Sequence, residues 1–275
     1  MRIRLEFSLK GIYFATRNTG VAQLVEHRSP KPRVGSSNLS SRAKKATLYG
    51  WLLCLYSRLM IKLVVFDLDG TLLDSLKDLA VSANYALRLN GFPEHDLAEF
   101  RYFVGNGITK LIERALPLEN RQLETIEKVR ADFVNYYSLH KADYTAPYPG
   151  IVDLLRELRK RDICLAVASN KFQSATEVLV PYYFGQGTFA FVYGQREGIP
   201  TKPDPRVVFD ILHEAGVQQE ETLYVGDSGV DMQTASRAGV TAVGVMWGFR
   251  TREELQANGA SFIVEHPAEI LKLLA

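Results

Sequence analysis

Apolar and polar positions follow two rhythms along this chain. Ile61-Lys-Leu-Val-Val-Phe66, Ile163-Cys-Leu-Ala-Val-Ala-Ser169 and Leu223-Tyr-Val225 are short apolar runs with little alternation, the pattern of strands buried on both faces of a parallel sheet. Ile151 to Arg161 and Val207 to Ala215 read instead as amphipathic helices, the second stopping at Gly216. Between Leu73 and Tyr148 the strand rhythm disappears. Leu76, Leu79, Ala83, Ala86 and Leu87 recur at helical spacing up to Gly91, and further helices are expected at Leu97 to Phe103, Ile108 to Ala115 and Arg121 to Leu139. In the last of these, Ile126, Val129, Phe133 and Tyr136 form a stripe that reads as helix-bundle core. Pro147-Tyr-Pro-Gly150 closes the helical stretch, and β-α alternation resumes. The expected architecture is a doubly wound parallel α/β sheet, residues 60–75 and 148–275, with an inserted helical domain at 76–147.

The chemistry-bearing residues fall where the strands end. Asp67 and Asp69 follow the first run, and Gly70 lets the chain turn. Side chains alternate along an extended backbone, so both carboxylates face one crevice while Leu68 points into the core. In open α/β sheets that crevice, at the carboxyl ends of the strands, binds ligands. Two carboxylates so close repel unless a cation or proton separates them. Ser169 and Asn170 end the second run. Asp227 ends the third, and Asp231 opens the next helix, where an acid also suits the dipole. Lys202, in Thr201-Lys-Pro-Asp-Pro205, precedes another helix. Taken singly, each is also an ordinary turn, cap or surface residue.

Taken in order, Asp67-Leu-Asp-Gly-Thr-Leu72, Ser169, Lys202 and Gly226-Asp-Ser-Gly-Val-Asp231 resemble the four motifs of the haloacid-dehalogenase-like phosphatases, and the likeness spans Met60 to Ala275. The resemblance implies a Rossmann-like core with a helical cap inserted after the first motif. It makes Asp67 the nucleophile and Asp69 the general acid and base, since a carboxylate attacks phosphorus without prior deprotonation and a second carboxyl serves the leaving oxygen. Ser169 would hold the transferring phosphoryl group, and Lys202 would offset charge there. Mg²⁺ would be held by Asp67, the Asp69 carbonyl and Asp227, with Asp231 and Ser228 acting on it from further out or indirectly. Thr71, Asn170 and the cap segment Gly105-Asn106-Gly107 would contact substrate. That Gly-flanked segment reads equally as an interhelix turn, with Arg101 or Lys110 available for a substrate carboxylate.

Asp69 favours phosphatases over dehalogenases and phosphonate-cleaving relatives, and the absence of histidine from Asp74 to Ala83 favours hydrolysis over mutase chemistry. Asp67 to Pro93, Val225 to Gly239 and Gly244-Val-Met-Trp-Gly-Phe-Arg250 bring the resemblance nearest to bacterial phosphoglycolate phosphatases. Pyrophosphatases and broad-specificity sugar-phosphate phosphatases share the last pattern. A catalytically silent binding protein is the alternative from another class, and the presence of Asp67, Asp69 and Lys202 speaks against it.

Charge changes the picture at one end only. Residues 1–60 hold 11 Lys and Arg against Glu6 and Glu26, leaving 22 basic and 29 acidic residues for the remainder, so a net charge of +2 conceals a basic leader on an acidic domain. The folded part therefore gives no argument for nucleic-acid binding. The leader lacks the continuous apolar core of a signal or membrane span. Its segment Gly20 to Arg42 resembles the conceptual translation of a transfer-RNA gene. We expect residues 1–59 to be disordered or a mis-assigned start, with Met60 as the natural beginning. Two cysteines make no disulfide framework. The expectation is a cytoplasmic monomer or homodimer that binds a small phosphorylated metabolite and neither nucleic acid nor membrane.

Overall fold

The computed structural model describes residues 60–274 and, before them, only the short antiparallel pairing of Phe7–Ser8 with Gly11–Ile12. Apart from that pairing, the expectations for the leader fall outside the described residues. The chain divides into compact units at 1–48 and 49–275, and the second contains every chemistry-bearing residue singled out above.

Six strands form the parallel sheet of this second unit: β1 (Leu63–Phe66), β4 (Cys164–Phe172), β5 (Phe191–Gln195), β6 (Thr222–Gly226), β7 (Thr241–Val245) and β8 (Phe262–Val264). Their spatial order is β8-β7-β6-β1-β4-β5. The first strand in sequence thus lies between β6 and β4, with Phe66 opposite both Val225 and Val167. This register brings the carboxyl ends of three strands to one level, the switch point of a doubly wound sheet.

The near-continuous apolar strands feed two cores. Val64, Phe66, Val167 and Val225 pack against α5 (Ile151–Lys160) and α6 (Gln173–Phe184). Leu63, Val65, Ala166 and Tyr224 face α7 (Arg206–Ala215), α8 (Gly229–Ala238) and α9 (Arg252–Ala257). Each large apolar side chain so buried contributes about 1.5–3 kcal/mol.

Two-residue strands β2 (Leu73–Asp74) and β3 (Ala146–Pro147) pair antiparallel and carry the chain into and out of the helical insertion. It comprises α1 (Leu76–Leu89), α2 (Leu97–Phe103), α3 (Ile108–Ala115) and α4 (Leu123–His140). These helices have an apolar cluster of their own, to which the core lends Phe249. In α4 the stripe is Ile126, Val129, Phe133 and Tyr137. The expected Tyr136 instead lies on the flank, stacked between Tyr85 and His140. A step of four residues from Phe133 follows the helix face better than a step of three, because 3.6-residue turns drift. Among the described residues no helix is long and apolar enough to cross a membrane.

Candidate active site

The site begins where β1 runs out. Asp67 N–H donates to Val225 O at 2.9 Å, extending the ladder by one residue, and the carbonyl of Leu68 then accepts from Leu72 and Leu73 at 3.0 and 2.9 Å. Gly70 turns the loop with φ 91°, and a Cβ there would sit 2.3 Å from Asp227 Oδ2. Glycine is therefore required by both conformation and space. Leu68 is buried in the core while Asp67 and Asp69 line a cavity of about 40 Å³. The expected alternation holds.

Lys202 is 4% exposed, and the Lys202–Pro203 peptide is cis. Its ammonium reaches Asp67 Oδ1 at 2.8 Å, Asp231 Oδ1 at 2.7 Å and the Ala168 carbonyl at 2.9 Å. Three acceptors use all three of its protons. Burial alone would lower its pKa, but Asp231 and then Asp67 outweigh burial and keep it charged. Asp231 closes a capping box at the start of α8, accepting from Ser228 N–H and Oγ–H at 3.2 and 2.6 Å, with the Tyr224 hydroxyl 3.4 Å from its other oxygen. The helix-start role and the site role coexist, as the sequence allowed.

Asp227 is 2% exposed and held by the Phe249 N–H at 2.7 Å. Gly248 lies so close that a Cβ would fall 2.2 Å from the Cβ of Asp227. Thr71 directs its hydroxyl to Asp227 at 3.5 Å and is fully buried, a support for that carboxylate and not part of the cavity lining. One oxygen each from Asp67, Asp227 and Asp231 lie within 4.8 Å of one another.

Burial pushes the pKa of Asp67 up to about 7, with Lys202 opposing and the acids Asp231 and Asp69 adding to the rise. Asp227 is raised well above the usual carboxylate range, first by burial and then by Asp231 and Asp67. Fully ionised, the three carboxylates against one ammonium carry an excess of two negative charges, which the raised pKa values resist until a cation is present. That is the electrostatic and chemical fit for a divalent cation with oxygen ligands.

Ser169 and Asn170 also line the cavity, at the end of β4. The strand runs on to Phe172, with a register shift between Ala168 and Phe172 that turns these side chains to the site. Ser169 Oγ accepts from Lys171 N–H at 3.2 Å. Asn170 clamps two loops: its amide donates to Gly105 O and Lys202 O, both at 3.1 Å, and accepts from Lys202 N–H at 2.9 Å.

The Gly105-Asn106-Gly107 segment is both a turn and a cavity wall. Gly105 and Gly107 adopt φ 118° and 83° and line the cavity. The Asn106 carboxamide instead accepts from Arg114 at 2.8 Å. Arg250 of the core donates to Val104 O at 2.8 Å, tying the same segment down. Neither Arg101 nor Lys110 lines the cavity; Lys110 is exposed and paired with Glu113 at 2.6 Å, and Arg101 borders an outer groove.

Sequence reasoning missed Lys171. Its side chain is 2% exposed, and its ammonium lies 3.0 Å from both oxygens of Asp69 and 4.9 Å from the centre of the Tyr137 ring. Burial would lower its pKa, but Asp69, followed by Tyr137, reverses this and holds it protonated. Ser75 donates to Asp69 Oδ1 at 2.6 Å. The one signal available was position: a lysine two residues past a strand-end serine, which ordinarily reads as solvated.

The parallel sheet thus carries a strand-end aspartate pair, a buried lysine and an acidic cluster at one crevice. The chain belongs to the haloacid dehalogenase-like hydrolase family, whose model matches residues 64–245. Within that family it stands with phosphatases. It is 33% identical to the phosphoglycolate phosphatase of Mesorhizobium japonicum, over 77% of this chain and 94% of the relative. It is 34% identical to that of Pseudomonas putida, over 74% and 76%. A crystal structure from Lactobacillus delbrueckii subsp. bulgaricus matches with a TM-score of 0.74 at 32% identity, covering 78% of this chain and 98% of the other.

Proposed function

We propose that this protein is a Mg²⁺-dependent phosphomonoesterase acting on a small phosphorylated metabolite, 2-phosphoglycolate first among them, through an aspartyl phosphate on Asp67. The observation that carries this reading is the buried Lys202 ammonium, 2.8 Å from Asp67, whose carboxylate lines a small cavity together with Asp69 and Ser169. Asp67 attacks phosphorus in line, and Ser169 and Lys202 meet the charge on the phosphoryl oxygens. Asp69 protonates the leaving oxygen and then takes a proton from the water that hydrolyses the intermediate. Asp67, Asp227, Asp231 and the Asp69 carbonyl would hold Mg²⁺, which when bound neutralises the carboxylates and phosphoryl oxygens as they approach.

The helical insertion serves as the cap. With Val104, Gly105 and Gly107 against the core, the cavity of about 40 Å³ has room for about three waters. In this reading substrate enters as the cap lifts and is enclosed as it returns, which would limit the access of bulk water to the acyl phosphate. A small leaving group suits this enclosure better than a hexose. The names of the curated relatives support 2-phosphoglycolate.

The test is Mg²⁺-dependent phosphate release from 2-phosphoglycolate, pyrophosphate, hexose phosphates and nucleoside monophosphates, with Asp67→Asn in parallel. Preference for phosphoglycolate, lost in the variant, is expected. Broad weak turnover lost in the variant would keep the mechanism and remove the substrate; no turnover at all would remove both.

A further inference from the structure

We propose that Lys171 selects the substrate: it binds a carboxylate on the leaving group, so that the site prefers short phosphate monoesters ending in a carboxylate over uncharged esters of the same length. The proposal rests on the phosphatase reading above and assigns its specificity to a residue outside the expected motifs.

The cavity wall explains why one cation decides. On the cap side the lining side chains, Leu79, Val104, Ile108 and Leu111, are apolar, and only the backbone of Gly105 and Gly107 is polar there. Such side chains offer no partner to a hydroxyl-rich leaving group, which would lose hydrogen bonds to water on entering. Among the described residues, Lys171 is the one cationic side chain that lines the cavity. Lys202 is not available for a second anionic group, because its three protons are taken by Asp67, Asp231 and Ala168 O. Arg101 and Lys110, the cations suggested by the sequence, do not line the cavity.

Lys171 is also placed so that it can be shared. It approaches both oxygens of Asp69 at 3.0 Å, and the Ser75 hydroxyl holds one of the same oxygens at 2.6 Å. Asp69 therefore keeps an anchor when the ammonium turns part of its donor capacity to a ligand. The ammonium also lies 4.9 Å from the centre of the buried Tyr137 ring and interacts with that side chain. Both of its contacts at 3.0 Å go to the one carboxylate of Asp69, so a ligand acceptor in the cavity can take one of them without leaving a second acid unpaired. An ammonium bridging Asp69 and the ligand carboxylate would set the ester oxygen next to the carboxyl that must protonate it. Recognition and orientation then come from one contact.

The experiment compares kcat and KM of the full-length protein for 2-phosphoglycolate and ethyl phosphate, in wild type, Lys171→Met and Lys171→Arg. Wild type should prefer the carboxylate ester, and Lys171→Met should cut the preference ratio by about 10- to 100-fold, the range for a lost charge-assisted contact. Lys171→Arg should recover part of the ratio. An unchanged ratio, or an equal fall for both esters, would overturn the proposal and leave Lys171 as a support for Asp69 alone. Where Lys171→Met removes all turnover, calorimetric binding of both esters in the Asp67→Asn background reads the same ratio. There, binding of the carboxylate ester should weaken at least tenfold more than that of ethyl phosphate, and equal weakening would overturn the proposal. Wild type hydrolysing ethyl phosphate without preference would refute the Lys171 assignment while sparing the phosphatase; wild type hydrolysing neither would refute the phosphatase and this assignment with it.

Discussion

Lys202 Nζ stands 2.8 Å from Asp67 Oδ1 while the same ammonium holds Asp231 at 2.7 Å. The lysine therefore orients Asp67, the proposed nucleophile, and the helix-start acid together. Lys202→Met leaves two buried carboxylates without their cation, and breaking a buried pair from one side costs about 3–5 kcal/mol. We expect phosphate release to fall at least about 100-fold, as for loss of one charge-stabilising donor, with a lowered Tm that Mg²⁺ partly restores. A variant with wild-type kcat would remove Lys202 from the chemistry.

Asp67 gives an inverted pH dependence of stability. Its pKa rises from an ordinary value of 3.8 to about 7 on folding, by burial against the partial relief from Lys202. Between those values the native protein binds more protons at this site than the unfolded chain does. The Asp67 contribution to stability therefore falls as pH rises from about 4 to about 7, by a few kcal/mol, and is flat above. Asp227 acts in the same direction. We expect the Mg²⁺-free protein to lose Tm between pH 5 and pH 8, Asp67→Asn to reduce the loss, and Mg²⁺ to raise Tm more at pH 8 than at pH 5. An Mg²⁺ effect independent of pH would contradict the acidic cluster as the cation site.

The parts of the site legible in the sequence are those that end strands. Asp67, Ser169 and Asp227 each follow an apolar run, and the expected register of a buried parallel sheet is enough to bring them together. Lys171 was not legible, because its burial depends on a distant acid, Asp69, and on the aromatic face of Tyr137, which comes from α4 of the helical insertion. Thr71, from its motif, and Asn106, from a Gly-flanked segment that reads equally as a turn, are expected at the substrate; their side chains meet Asp227 and Arg114. The half-exposed edge strand β5 and the short strands β7 and β8 also escaped notice, lacking a flanking polar motif to draw attention to them.

Asp78 was likewise silent in the sequence, and the structure gives it a testable role. It is 2% exposed on α1 and accepts from Tyr144 N–H, Thr145 N–H and the Thr145 hydroxyl at 3.0, 2.8 and 2.6 Å. It joins the two chain crossings between core and helical insertion. Asp78→Ala leaves the buried Thr145 N–H without a partner, at a cost of about 1–3 kcal/mol, and frees the more exposed Tyr144 N–H to water. A Tm loss of several degrees is expected in thermal denaturation, with hydrogen exchange at Tyr144 and Thr145 accelerated. Unchanged exchange at both amides would show that Asp78 does not hold the crossing.

Asn170 and Arg250 hold neighbouring carbonyls of one cap segment, Gly105 O at 3.1 Å and Val104 O at 2.8 Å. If the segment moves as a unit, the two contacts are made and broken together. Asn170→Ala and Arg250→Ala should each raise KM for phosphoglycolate, and Asn170→Ala should also lower kcat because it frees Lys202 N–H and O. Once either tie is gone, the other has less closed state left to stabilise. The double variant should therefore raise KM by less than the product of the single effects, a coupling of about 0.5–3 kcal/mol. Strict additivity in KM would mean that Val104 and Gly105 are held independently, and that the cap does not close over this site as one body.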